Sequence, residues 1–443
     1  MRKYFGTDGI RGKAGKFPIT ADFFSKLAYA AGKVLTNRVG NIKKPSVIIG
    51  KDTRVSGYML ESALEAGFSA AGVDVYLTGP IPTPAIAYLT KAMRAQVGVV
   101  ISASHNLFQD NGIKFFSGDG LKLDDSIEIE IEKYIDSIEG LDSEEIGKAK
   151  RVEDAQGRYV EFCKNTFPRN LNLDNLKIVL DCSNGATYQV APKIFSELGA
   201  HITKIGVEPD GKNINQDCGS THLDLLKSKV KEVNADLGIA FDGDGDRVLM
   251  VTSSGYIVDG DQLLYIIVAN ECVQNKIKGG VVGTLMTNLA MEEALKEKNI
   301  PFLRSNVGDR YVSEMMDDNN WIYGGENSGH ILLKNIHSTG DGIISALQVI
   351  KAIQERKISL QDAVNEIKLY PQILVNLPIQ TDLNLDSEVI QESIKSAESL
   401  MESKGRVLLR KSGTEPLIRI MTECKDFDKA MQANQLIKNA LEA

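Results

Sequence analysis

The chain has 443 residues, too many for one ordinary hydrophobic core and enough for three or four compact units. With 43% hydrophobic and 25% charged residues its composition is that of a soluble globular protein, and 51 basic against 59 acidic side chains leave a net charge of −8. That balance argues against a nucleic-acid surface and gives no reason to expect a membrane partner, so an anionic ligand has to be held by local basic groups.

Up to about Leu369, short apolar runs alternate with longer amphipathic segments, the pattern of α/β architecture. Near the start, Thr7-Asp8-Gly9-Ile10-Arg11-Gly12 is ambiguous between turn and site. Ser46 to Gly50 reads as a buried strand, followed by the equally ambiguous Lys51-Asp52-Thr53-Arg54. Val97 to Ile101 reads as another, leading at once into Ser102-Ala103-Ser104-His105-Asn106 and then Asp110-Asn111-Gly112-Ile113-Lys114. A serine at a strand's carboxyl end is expected to be exposed and rigidly placed, which suits a phosphoryl carrier, although a plain loop fits the same residues. His105 is equally readable as a packed structural histidine. No Gly-x-Ser-x-Gly surrounds Ser104, which speaks against a hydrolase.

Lys177 to Asp181 and Leu237 to Phe241 read as strands, and the second runs into Asp242-Gly243-Asp244-Gly245-Asp246-Arg247. Carboxylates at alternate positions repel one another, while the glycines let the backbone curl until the oxygens converge, as a hard cation such as Mg²⁺ requires. A solvated acidic turn is the plain alternative. An EF-hand is excluded, because its glycine and glutamate positions are occupied by Arg247 and Ser253. Gly280 to Thr284 and Trp321 to Tyr323 are further expected strands. After the latter, Gly324-Gly325-Glu326-Asn327-Ser328-Gly329-His330 pairs a carboxylate with a hydroxyl, a combination that can grip sugar hydroxyls or simply turn the chain. Because open α/β sheets bind ligands at the carboxyl ends of strands, three related α/β domains should each present one loop to a common cleft.

Beyond Leu369 the pattern becomes that of a small α+β domain, with a strand at Gln372 to Ile379 and a helix at Ser387 to Ser403. Two strands flank Arg410-Lys411-Ser412-Gly413-Thr414-Glu415-Pro416, with Arg419 beyond. A helix from Asp426 to Glu442 sets Ala430, Ala433, Ile437 and Leu441 on one face. By composition the turn is a phosphate cradle, its arginines offering forked donors and Ser412, Thr414 and backbone N–H groups neutral ones; an ordinary hairpin turn fits as well. The expected units are residues 1–153, 154–255, 256–369 and 370–443. No P-loop or dinucleotide fingerprint is present.

The five cysteines, Cys163, Cys182, Cys218, Cys272 and Cys424, form neither metal-ligand nor disulfide spacing, which suits a reducing compartment. MRKYFGTDGIRG lacks the apolar stretch of a signal peptide, and no run of about 18 apolar residues occurs, so a cytoplasmic location is expected.

In order and together, SASHN, DGDGDR, GGENSGH and RKSGTEP resemble the four signature loops of the α-D-phosphohexomutase superfamily, one from each of four domains around a central cleft. The segments Phe5 to Gly12, Asn213 to Asn215, Cys218 to His222 and Val307 to Val312 are similar to those of its amino-sugar branch. The resemblance implies that Ser104 is a phosphoserine and that Asp242, Asp244 and Asp246 hold Mg²⁺ together with its phosphate. It implies Glu326 and Ser328 as contacts for sugar hydroxyls, and Arg410, Ser412, Gly413, Thr414 and Arg419 as contacts for the phosphate that is not transferred. Arg11, Lys114 and Arg247 would neutralise the transferred group, and His330 matches a general acid/base. The implied activity interconverts glucosamine 6-phosphate and glucosamine 1-phosphate through a 1,6-bisphosphate, primed by glucosamine or glucose 1,6-bisphosphate, for amino-sugar nucleotide and cell-wall precursor synthesis. Members of the superfamily are often homodimers. The mannose and glucose phosphomutases are the nearest alternative, and Asp309, where that branch has histidine, favours the amino sugar. A catalytically silent sugar-phosphate-binding protein is the alternative from another class, against which Ser104 and the three aspartates argue. Two departures are Leu107, where proline usually follows Ser-His-Asn, and Asn327, where glutamine is usual.

Overall fold

The computed structural model describes residues 2–38, 44–378, 384–402, 404–411 and 417–442. The apolar runs form strands, as their β-branched content favours. The first sheet contains β1 (Ile10–Lys13), β2 (Ser46–Lys51), β3 (Asp74–Pro80), β4 (Val97–Ile101), β5 (Asp110–Ser117) and β6 (Ala149–Arg151), in the order β1-β5-β4-β2-β3-β6. The second contains β7 (Lys177–Asp181), β8 (His201–Ile205), β9 (Leu237–Phe241), β10 (Val248–Thr252) and β11 (Ile257–Val258), in the order β11-β10-β9-β7-β8. The third contains β12 (Val281–Thr284), β13 (Phe302–Ser305), β14 (Tyr323–Gly325) and β15 (Ile331–Leu333), in the order β13-β12-β14-β15.

One topology recurs in all three. The central strand (β2, β7 or β12) pairs parallel with both neighbours, and the last of these (β4, β9 or β14) pairs antiparallel with the strand that follows it. The fourth unit is a smaller antiparallel sheet of β16 (Gln372–Pro378), β17 (Gly405–Lys411) and β18 (Leu417–Cys424), ordered β16-β18-β17 and backed by helices Glu388–Leu400 and Phe427–Glu442.

The expected strand at Trp321 to Tyr323 begins only at Tyr323. The Trp321 N–H still donates to Met316 O at the end of helix Asp309–Asp318, and Asn320 adopts φ +53°, so the chain has not yet left the helix cap. Of the strand and helix read at Gln372 to Ile379 and Ser387 to Ser403, the last residues, Ile379 and Ser403, lie outside the described residues.

Burial divides the molecule unevenly. One apolar core runs from Ile48 and Ile86 of the first unit through Tyr159, Ile178 and Phe241 of the second to Leu264 and Ile343 of the third. The fourth unit has a core of its own, built from Ile390, Ala397, Ile418, Ala433 and Ile437. Polar contacts join it to the third: the buried Glu423 accepts the Leu289 N–H and the Arg406 guanidinium, which also donates to Leu285 O and Thr287 O. All five thiols are free, and among the described residues no helix is long and apolar enough to cross a membrane.

Candidate active site

Each signature loop lies at an equivalent place, the connection between two antiparallel strands: β4 to β5, β9 to β10, β14 to β15 and β17 to β18. The strand pairs fix where each loop starts and ends, which leaves the loop residues free to carry chemistry.

Ser104 is buried at 1% exposure, contrary to the expectation of an exposed hydroxyl. The DGDGDR loop covers it, and the Ser104 Oγ–H donates to Asp242 Oδ2 at 2.6 Å. The glycines permit this closeness. A Cβ on Gly243 would lie 2.6 Å from Ser104 O, and Gly245 turns the loop at φ +74°. His105 Nδ1 faces Arg247 Nη1 at 3.2 Å. Burial, then the charges of Arg247 and Arg11, push its pKa down to about 4, so the ring is neutral and Nδ1 accepts. Leu107 is exposed, and its carbonyl accepts the Asp110 N–H within the same loop.

The carboxylates of Asp242, Asp244 and Asp246 are buried with oxygens within 4.8 Å of one another. Burial and mutual repulsion hold the Asp242 carboxyl well above the usual range. Burial acts the same way on Asp246, but Lys114, His330 and Arg247 outweigh it and hold that carboxyl well below the range. Lys114 Nζ donates to Asp244 Oδ2 at 3.0 Å and Asp246 Oδ2 at 3.1 Å, and Thr83 Oγ1 donates to the same Asp244 oxygen at 2.7 Å. The other oxygens, Asp244 Oδ1 and Asp246 Oδ1, are buried with no hydrogen-bond partner among the described residues. Orphaned hard carboxylate oxygens that converge in this way fit a divalent cation such as Mg²⁺.

A closed ring of alternating charges runs through Asp246, one member of the triad. Lys114 Nζ lies 3.2 Å from Asp8 Oδ2, Lys122 Nζ donates to Asp8 Oδ1 at 2.6 Å, and Lys122 also reaches Asp309 Oδ2 at 2.6 Å. Asp309 Oδ2 is 3.4 Å from His330 Nε2, and His330 Nδ1 is 3.7 Å from Asp246 Oδ2, which closes the ring at Lys114. Arg11 joins from outside by donating to Asp8 Oδ2 at 2.6 Å. Burial alone would lower the His330 pKa, but Asp309, Asp246 and Glu326 raise it to about 9, so His330 is an imidazolium at neutral pH. Asp8 and Asp309 stood in segments already singled out in the sequence. Lys122 and Thr83 carried no local signal, because only the fold brings Thr83 to Asp244 and Lys122 between Asp8 and Asp309.

Glu326 Oε1 accepts the Gly308 N–H at 3.0 Å, and its carboxyl is raised chiefly by burial. Ser328 Oγ is buried without a hydrogen-bond partner among the described residues, and the neighbouring Asn327 carbonyl accepts the Gly260 N–H. Arg247 interacts electrostatically with Glu326 as well as with the triad, so these side chains share one site. Arg410 and Arg419 stand directly opposite each other in the β17–β18 register. Burial and the Arg419 charge pull the Arg410 guanidinium below its ordinary pKa, which marks two like charges held close, as an anion site requires. Ser412, Gly413 and Thr414 lie outside the described residues.

The profiles of the phosphoglucomutase/phosphomannomutase family match in order: alpha/beta/alpha domain I over residues 2–141, domain II over 157–255, domain III over 259–370 and the C-terminal domain over 374–439. Phosphoglucosamine mutase of Methylobacillus flagellatus is 57% identical over 430 residues, covering 96% of this chain and 95% of that protein. The phosphoglucosamine mutase of Haemophilus influenzae is 54% identical over 442 residues, covering 99% and 98%. Among solved structures, a phosphoglucomutase/phosphomannomutase family protein from Burkholderia thailandensis superposes with a TM-score of 0.82 at 23% identity, over 100% of this chain and 98% of that one. Aspergillus fumigatus N-acetylphosphoglucosamine mutase, in complex with GlcNAc-6P and magnesium, superposes with a TM-score of 0.69 at 16% identity, over 100% and 96%. At such identities the structures speak to the fold, which is the same. With four domains matched in sequence and more than half of all positions shared across nearly the whole length, the chain belongs to the phosphoglucosamine mutases, isomerases of the phosphoglucomutase/phosphomannomutase family.

Proposed function

We propose that the protein interconverts glucosamine 6-phosphate and glucosamine 1-phosphate, with Ser104 Oγ as the phosphoryl carrier. The observation that carries this reading is the Ser104 hydroxyl set 2.6 Å from Asp242, in a buried pocket that also holds two further carboxylates and Lys114. Phosphoserine brings about −1.5 to −2 charges, so the site needs positive partners, and Arg11, Lys114 and Arg247 supply them. Asp242, Asp244 and Asp246, together with the Ser104 phosphate, would hold a divalent cation, which would supply Lewis-acid neutralisation of the transferring group.

The reaction is an in-line displacement governed by positioning and electrostatics. The bond from phosphorus to Ser104 Oγ breaks while a bond to a sugar hydroxyl oxygen forms, and the hydroxyl proton ends on Ser104 Oγ. The resulting 1,6-bisphosphate turns over and returns its other phosphate to Ser104 by the reverse step. Glu326 and Ser328 grip the sugar hydroxyls, and His330, already protonated, serves as donor rather than base. Arg410 and Arg419, with Ser412, Gly413 and Thr414, hold the phosphate that is not transferring. The fourth unit, having its own core, can close over the intermediate and exclude water.

The same reading takes residues 1–153, 154–255, 256–369 and 370–443 as the domains, a sugar 1,6-bisphosphate as primer, a homodimer as the assembly and the cytoplasm as the location. It is tested by comparing glucosamine, glucose and mannose 6-phosphates as substrates with Mg²⁺ and glucose 1,6-bisphosphate. The amino sugar should show the highest kcat/KM; a preference for mannose or glucose phosphate would move the chain to the neighbouring specificity.

A further inference from the structure

The Lys51-Asp52-Thr53-Arg54 segment lies at the end of β2, next to β4, and the chemistry above makes no use of it. Arg54 is fully buried, yet its guanidinium does not reach the triad. It is spent on backbone carbonyls: Nη2 donates to Ser104 O at 3.0 Å and to Asn106 O at 2.6 Å, and Nε to Asp110 O at 3.1 Å. Asp52 steadies it, accepting the Arg54 N–H at 2.9 Å and Nη1 at 3.3 Å. Asn215, from the second unit, makes the same choice. Its Nδ2 donates to Ser104 O at 2.9 Å and to Asn106 O at 2.8 Å, while its own N–H is anchored on Ser183 O. Asp52 also accepts the Ser102 hydroxyl at 2.6 Å, and Ser102 Oγ in turn accepts the Ser104 N–H at 2.9 Å.

These contacts surround a residue in an unfavourable backbone state, since Ser104 has φ +52°. A non-glycine residue in the left-handed region carries a cost of about 1 kcal/mol or more, and it persists only where its surroundings over-determine it. Here both the N–H and the carbonyl of Ser104 are held, the carbonyl twice and from two domains. Relaxation into an ordinary backbone region would swing the Cα–Cβ bond and carry Oγ away from Asp242.

We propose that Arg54 and Asn215 are positioning residues for the phosphoryl carrier, a two-domain clamp on the Ser104 and Asn106 carbonyls that holds the serine in its left-handed conformation and its Oγ over the metal loop. This deepens the mutase reading and rests on it for the identity of the reaction. Lysine cannot replace the forked guanidinium, and Asn215→Asp is isosteric but puts an acceptor where two carbonyls need a donor.

The test uses the full chain carrying Arg54→Lys or Asn215→Asp, with Mg²⁺. Kinetics with glucosamine 6-phosphate are measured alongside amide hydrogen exchange of residues 102–106 and thermal unfolding. In folded variants kcat should fall about ten- to a hundredfold, as a misplaced reacting atom does, with KM for the sugar phosphate within about twofold of wild type. Exchange should accelerate in the 102–106 segment and remain unchanged in the cores. Wild-type kcat in a folded variant overturns the clamp, and so does wild-type exchange over 102–106 whatever the rates. Should Arg54→Lys not fold, Asn215→Asp decides alone. Absence of turnover in the wild type would remove the mutase reading, while the exchange measurement would still decide the clamp.

Discussion

Ser104 loses one hydrogen bond when it becomes alanine, worth about 1 kcal/mol, and the small side chain still fits the space beneath the metal loop. Ser104→Ala should therefore abolish turnover with little change in the unfolding temperature; a phosphopeptide mapping to Ser102, or activity near wild type, would reassign the carrier. Asp244 presents one oxygen to Lys114 and Thr83 and leaves the other orphaned. Asp244→Ala should stop transfer even in excess Mg²⁺, and titration calorimetry should record weakened cation binding; undiminished turnover in chelator would remove the metal role. Lys122 balances Asp8 and Asp309 from one ammonium. In Lys122→Met two carboxylates lose a charge-assisted bond each worth about 1.5 to 3 kcal/mol when intact, so kcat/KM should fall at least about tenfold. Unchanged steady-state rates would make the ring a purely structural feature.

At the level of strands and loops, the antiparallel register sets Arg410 against Arg419, and both guanidiniums rise from one face of the β17–β18 pair. Arg419→Lys should raise KM for the sugar monophosphate about tenfold or more, because the ammonium lacks the fork that meets two phosphate oxygens. Phosphorylation of Ser104 should be unaffected, which intact mass measures directly. This scale is also where the sequence was most legible. Val97 to Ile101, Lys177 to Asp181 and Leu237 to Phe241 are strands with the boundaries their apolar runs suggested, because a run buried on both faces ends abruptly at its first polar residue. The tryptophan at 321 misled for a physical reason: an apolar, β-prone residue was still tied into a helix cap. The convergence of the three aspartates was one of two readings the spacing offered, and their burial decides against the other, a solvated acidic turn. The burial of Ser104 was not, because its cover comes from another domain. Nor was Lys122, whose partners Asp8 and Asp309 are far from it in sequence.

Across the whole molecule, three domains meet at a small aromatic junction. Tyr88 stacks on Phe162 with centroids 4.1 Å apart, and the His337 ring meets Phe162 edge-on at 5.1 Å. His337 Nε2–H donates to Pro84 O at 2.9 Å, and Nδ1 accepts the Ser338 N–H at 2.8 Å, so both nitrogens are engaged in the neutral form. Burial pushes this histidine down to about 4. The unfolded chain then binds the proton more readily between about pH 6.5 and that value, and stability falls as pH drops through this window by up to about 3 kcal/mol. His337→Gln has no such proton to bind. The stability difference between wild type and variant, read from denaturant unfolding, should therefore shrink steadily from pH 7 to pH 4; a constant difference would show that the ring is not the titrating pin. The fourth unit stands outside this junction and its shared core, joined to the third by polar contacts, so it can move without opening the others.

The threefold recurrence of one strand order has a consequence for how such a molecule can change over generations. Each repeat places its specialised residues in the connection of an antiparallel pair, outside the strands that build its sheet. On the roles proposed above, a lineage can rewrite one connection, trading the sugar it grips while keeping its cation site and its carrier, with the strands of the three sheets left as they are. Inheritance of the scaffold and divergence of the substrate are thereby uncoupled, so that one architecture can serve many sugars while the phosphoryl chemistry at its centre stays as it is.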